Sequence, residues 1–159
     1  MSEGKILYAE HEGNYTIQMR GQVRYTMSQG LDKLIERIAA DAHANGIAVD
    51  LTEADYLDST NLGLLARIAS LSLERFKHPA PLFSCKKEIN EILNCMGFDR
   101  VFQISKKQEA VGDIPFDITE ETTSASALLL KAHRNLCHMN ARNAATFHDI
   151  VELLESEIE

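Results

Sequence analysis

Asp58-Ser59-Thr60 is the stretch of this sequence best equipped for chemistry. It lies in "YLDSTNLGLLARI", between a strand-like run and a helix-like run. Small polar side chains there can accept the first free N–H groups of the helix, and capping alone would explain them. A hydroxyl in such a turn can also act as a nucleophile or accept a phosphoryl group. No G-x-S-x-G elbow surrounds Ser59, and the chain has neither a glycine-rich phosphate loop nor an HExxH motif. Nothing favours a serine–histidine–aspartate arrangement assembled from distant residues. Catalysis is therefore not expected, while cap and modification site both stay open on local sequence.

The other reactive side chains say less. His133 and Cys137 are four apart on a predicted helix, with His138 adjacent and His148 further on. Residues at that spacing can meet one ion, but structural zinc usually needs four well-spaced ligands. They read as side chains on a helix face, so no metal is expected. Cys85, Cys95 and Cys137 are an odd number without a CxxC pair and read as reduced thiols. No cofactor is implied.

The elements around the turn follow from periodicity. Lys5–Ala9 and Tyr15–Met19 are β-prone and flank turn residues at 11–14, giving a hairpin, with a bend at Gly21. Leu31, Leu34, Ile35, Ile38, Ala39 and Ala42 make a helical stripe ending near Asn45-Gly46. Ile47–Leu51 is a short buried-strand run. The helix opened by the quoted turn carries Leu64, Leu65, Ile68 and Leu71 and stops at His78-Pro79. A strand at 81–84, a helix with Ile89, Ile92, Leu93 and Met96 closing at Gly97, and a strand at 101–104 complete the pattern. Alternating helices and strands imply an α/β fold, a largely parallel or mixed sheet with helices packed on it.

Beyond Ser105 the character changes. Residues 106–121 are polar, with Gly112 and Pro115, and read as a connector; residues 122–159 lack Gly and Pro altogether. Ala125, Leu129, Ala132 and Leu136 form one stripe, and Phe147, Ile150, Val151, Leu154 and Ile158 a cleaner one. Two helices with a break near 140–143 are expected, with one long helix as the alternative. They would pack on the domain core or against a second copy as a homodimer.

Composition narrows the function classes. A 45% hydrophobic share with 25% charge is ordinary for a globular domain. The net charge of −8 and the lack of any dense basic stretch argue against nucleic acid. No apolar run approaches the roughly 20 residues of a membrane span, and Met1–Lys5 lacks signal-peptide character. A cytoplasmic location without membrane contact is expected.

"DLTEADYLDSTNLGLLARIASL" followed by "PLFSCKKEINEILNCMGFDRVFQI" resembles the STAS family, which includes bacterial anti-sigma factor antagonists and the soluble domains of sulfate transporters. The marks are the apolar strand ending in Asp50-Leu51, D-S-T-x-L-G over Asp58–Gly63, and the helix ending in Met96-Gly97-Phe98 before a final strand. Gly21-Gln22-Val23-Arg24 also looks like the family's bend after its second strand. The resemblance covers roughly residues 4–105. It implies a STAS domain over 1–105, a connector over 106–121, and a C-terminal helical extension over 122–159 outside the family core.

For function, the resemblance implies a non-enzymatic switch. Unphosphorylated, it would bind an anti-sigma factor that is also a Ser/Thr kinase. Phosphorylation of Ser59 or Thr60 would break the complex and a phosphatase would restore it. Asp58, Asn61 and Arg24 would serve partner binding. Asn61 stands where the family usually has Gly, and Arg24 where many switch members are acidic. The alternative is a STAS scaffold or oligomerisation module whose hydroxyls only cap the helix.

Overall fold

A computed structural model of the chain describes residues 3–106, 114–120 and 126–158. Residues 107–113 and 121 of the expected connector, and Ala125 of the expected stripe, lie outside that set.

The β-prone opening forms a hairpin of β1 (Lys5–His11) and β2 (Asn14–Val23) in antiparallel register, Tyr8 facing Ile17. β2 runs past the predicted bend. Gly21 has φ of +65°, and the register with the next strand slips on either side of Arg20-Gly21. That conformation is cheap only for glycine, so the bend is a bulge inside the strand. A 3-10 turn (Tyr25–Met27) leads into α1 (Ser28–Ala40), which buries Leu31, Leu34, Ile35 and Ile38. The helix stops at Asp41, so Ala42 falls outside it. Asp41 instead accepts a hydrogen bond from the Tyr15 hydroxyl at 2.7 Å.

β3 (Gly46–Leu57) pairs parallel with β2 and is more than twice the expected length. Its second half, with Glu53 and Asp55, is too polar to read as a strand, yet pairing with the bulged β2 carries it on to Leu57. Then come α2 (Ser59–Leu71), a π-type turn (Ser72–Phe76), β4 (Ala80–Phe83), α3 (Lys87–Cys95) and β5 (Phe102–Ser105). β3, β4 and β5 are parallel neighbours.

The expected connector contains a sixth strand. β6 (Phe116–Asp117) pairs antiparallel with β1, and the sheet order is β5-β4-β3-β2-β1-β6. The chain thus leaves one edge of the sheet and returns at the other. Ile118 N–H donates to Ile6 O at 2.9 Å and Ile6 N–H to Thr119 Oγ1 at 2.9 Å, which fixes this return. Two paired residues flanked by polar ones give too short an alternation to be seen in a sequence.

α4 (Ser126–Met139) and α5 (Ala141–Ile158) form an antiparallel pair, broken at Asn140. α4 lies along α2, and Ala132 and Leu136 join the same apolar core as the sheet. The extension is thus packed on the domain, the first of the two expected arrangements. The result is a mixed α/β domain with a six-stranded sheet, packed helices and an added C-terminal helical layer.

Candidate functional site

The turn between β3 and α2 is built by Asp58. Its backbone is extended (φ −89°, ψ 174°), and its carbonyl oxygen accepts the first helical bond, from Leu62 N–H at 3.0 Å. One carboxylate oxygen accepts from Asn61 N–H and from Asn61 Nδ2, both at 3.0 Å. The other accepts from the Tyr25 N–H across the turn. Asp58 is therefore the helix cap, and its charge also suits the positive end of α2. That frees the two hydroxyls from capping duty.

Asn61 braces the turn from inside. It is fully buried; its side-chain oxygen accepts from Ser28 Oγ at 3.1 Å, and its amide reaches Val23 O at 3.4 Å. It ties the end of β2, the start of α1 and the start of α2 together. A partner would meet Asn61 only through the turn it holds.

Ser59 and Thr60 sit differently. Thr60 is 3% exposed, whereas Ser59 is half-buried and is the more accessible hydroxyl. Ser59 Oγ lies 2.8 Å from Nε2 of His133, a residue of α4 that is itself 2% exposed. The other ring nitrogen, Nδ1, lies 2.7 Å from Leu129 O. A carbonyl oxygen only accepts, so Nδ1 carries a proton; in the neutral ring Nε2 then accepts from the Ser59 hydroxyl. Phe147 from α5 packs against the ring in a T-shaped arrangement, with centroids 5.7 Å apart.

Arg24 lies beside the turn. With Gln22, Tyr25, Tyr56 and Asp58 it lines a shallow depression of about 350 Å3. Its guanidinium donates to Gln22 Oε1 at 2.6 Å, which orients it along the surface. The structure thus gathers Asp58, Ser59, Thr60 and Asn61 into one turn and places Arg24 at its rim.

Three residues at this site escaped sequence reasoning. Tyr25 and Tyr56 are 45% and 46% exposed and frame the depression. Their signal was position alone, one directly after Arg24 and the other two before Asp58. Tyr and Arg side chains at a surface depression have the character of protein interfaces. In the sequence His133 reads as an ordinary helix-face residue. The available signal was its spacing, four after Leu129 and three before Leu136, which puts it on the buried stripe. Cys137, one turn on, directs its thiol toward Asn143 O at 4.0 Å, and burial pushes that thiol's pKa up.

The model of the STAS domain matches residues 5–111, more than half of the chain. No curated protein matches the chain. Among solved structures, an anti-sigma factor antagonist from Mycobacterium paratuberculosis is similar, with a TM-score of 0.54 and 17% identity over 66% of this chain and 87% of that one. The Bacillus cell fate determinant SpoIIAA in its phosphorylated form has a TM-score of 0.53 and 14% identity, covering 65% of this chain and 92% of its own. The unphosphorylated form gives 0.51 and 13%, over 65% and 89%. At such identities these likenesses speak to fold. The chain belongs to the STAS domain family.

Proposed function

We propose that this protein is an anti-sigma factor antagonist that acts in the cytoplasm as a binding partner and substrate, not as an enzyme. In its unphosphorylated form it sequesters an anti-sigma factor with Ser/Thr kinase activity. Phosphate on the switch turn breaks that complex, and a phosphatase resets it. The observation that carries this reading is Ser59, a half-buried hydroxyl at the N-terminus of α2, not needed as the cap and next to a depression rimmed by Arg24, Tyr25 and Tyr56. The similarity to anti-sigma factor antagonists supports the partner class.

The energetics fit a switch that spares the fold. A phosphoryl group adds roughly −1.5 to −2 of charge, and the helix N-terminus stabilises a negative charge by about 0.3–1 kcal/mol. A partner surface closing over that dianion without a cation would pay several kcal/mol in desolvation. Each 1.4 kcal/mol is about tenfold in affinity, so part of that cost suffices for release. Ser59 is the preferred acceptor because Thr60 is almost fully buried.

One observation favours a second reading, a STAS scaffold without phosphorylation. The Ser59–His133 hydrogen bond gives the hydroxyl a structural use of its own. The two readings separate by binding to any kinase-like protein captured by the native chain in a pull-down. The switch requires Ser59→Ala to bind it constitutively. Ser59→Asp should bind weakly while keeping a native circular-dichroism spectrum. If acidic substitutions at Ser59 and at Thr60 both leave binding intact, the scaffold reading stands.

A further inference from the structure

We infer that the outer face of α2 is an interaction surface for a helix, occupied here in cis by α4, and that Ser59 becomes open to modification only when the C-terminal helical pair has left it. The inference rests on reading Ser59 as a phosphoacceptor and adds to it a gate built into the same chain.

Three contacts place α4 on the switch. His133 covers the Ser59 hydroxyl and holds it at 2.8 Å, with its ring fixed from behind by Leu129 O. One turn further along α2, Gly63 touches the α4 backbone: a Cβ there would lie 2.1 Å from Ala132 O and 2.8 Å from its Cα. Gly63 O also accepts from Asn135 Nδ2 at 3.2 Å. Only a helix with a small residue opposite Gly63 can approach this closely, so the face selects the kind of element that covers it. A kinase must bring its own groups to Ser59 Oγ, and His133 with the body of α4 stands in that space.

Beside the apolar contacts of Ala132 and Leu136, the other anchors are polar. Lys131 pairs with Asp32 at 2.7 Å and Glu36 at 3.3 Å on α1, and Asn140 and Asn143 donate to Met96 O at 3.1 and 2.9 Å. The pair of helices adds few large side chains to the core; Leu130, Leu136 and Leu154 are its buried leucines among the described residues. The sheet and α1–α3 bury their own much larger set. A terminal unit so attached can open below the free energy of global unfolding.

The test uses the full chain as wild type, Gly63→Ala and Lys131→Ala. Gly63→Ala drives a methyl group into the α4 backbone; Lys131→Ala removes a partly exposed anchor away from Ser59 and leaves the turn untouched. Hydrogen–deuterium exchange reports opening of α4 against the β2–β3 core, and quantitative phosphopeptide analysis of each protein from its native cell reports phosphate on Ser59. We expect α4 exchange in Gly63→Ala to rise by about tenfold or more, as overpacking of a tight contact requires, with the β2–β3 amides unchanged. Lys131→Ala should raise it roughly twofold to fivefold, the range of an exposed ion pair. Ser59 phosphate should rise in the same order. α4 amides that exchange only with the core in all three proteins would overturn the gate. So would an opened α4 with Ser59 phosphate present but unchanged from wild type, in which case the switch reading survives. Opened α4 with no Ser59 phosphate in any of the three overturns both. A Gly63→Ala chain that fails to fold leaves Lys131→Ala to decide by the same criteria.

Discussion

Helices α2 and α3 both follow a strand of the same sheet, yet they are built for different surroundings. In α3 only Ile89 and Leu93 are buried, and Glu88 and Glu91 face outward. In α2 ten of thirteen residues are buried, including Gly63, Ala66 and Ala69. A helix with one apolar stripe needs one partner; a helix apolar nearly all round needs cover on both sides. The sheet covers one side of α2 and α4 the other. The difference explains why the turn before α2 is not an open surface feature. The serine that opens α2 sits at the edge of a helix–helix interface, and its hydroxyl is part of that interface.

The largest expected effect sharpens this contrast in the core. Leu93 of α3 and Leu136 of α4 are both fully buried. Replacing either with alanine removes about 2–5 kcal/mol of packing. Leu93→Ala should shift the main urea transition by that amount. Leu136→Ala should shift it less and instead deprotect α4 and α5 in hydrogen exchange. Equal shifts of the main transition would make the C-terminal pair an integral part of the core.

The next effect compares the two helix caps. Asp58 caps α2 with its side chain, whereas Lys86 at the start of α3 makes no capping bond. Asp58→Ala should cost about 1–2 kcal/mol in thermal melts, since it also strands the Tyr25 N–H. Lys86→Ala loses an ion pair to Asp55 that is one-third exposed, worth at most about 1 kcal/mol. If Lys86→Ala costs more than Asp58→Ala, the turn is not organised by its cap.

The smallest effect is electrostatic and acts on the C-terminal pair. Burial alone would lower the pKa of Lys131, but its hydrogen bonds and charge attraction to Asp32 and Glu36 outweigh that and raise it above 10.5. A raised folded-state value means the contribution is fully present below the unfolded pKa and is lost as pH rises through the folded one. α4 exchange, corrected for its intrinsic pH dependence, should therefore gain an acceleration above the ordinary lysine range that Lys131→Ala lacks. Added salt should weaken the same contact modestly in the wild type alone.

Much of this was legible in the sequence because local pattern and tertiary demand agree there. The stripes of α1 and α3, the break at Asn140 and the Asp58-Ser59-Thr60 turn before α2 need no long-range information. The rest depended on partners distant in the chain. The polar half of β3 becomes a strand only because β2 runs beside it. Phe116–Asp117 pair only because the chain returns to β1. His133 gains its role from Ser59, 74 residues away in sequence. Leu64, Leu65, Ile68 and Leu71 form one stripe in the sequence, but the small residues between them, where α4 seats, carry no hydrophobic signal of their own.

The central claim, that the α2 turn is a phosphorylation switch, is tested most directly by residue-resolved phosphopeptide mapping of the wild-type chain isolated from its native cell. The account predicts phosphate on Ser59, with Thr60 the only other acceptor compatible with a switch in this turn, on a protein that remains folded. Peptides spanning residues 56–67 recovered in full and free of phosphate, under every condition that changes sigma-factor activity, would contradict it.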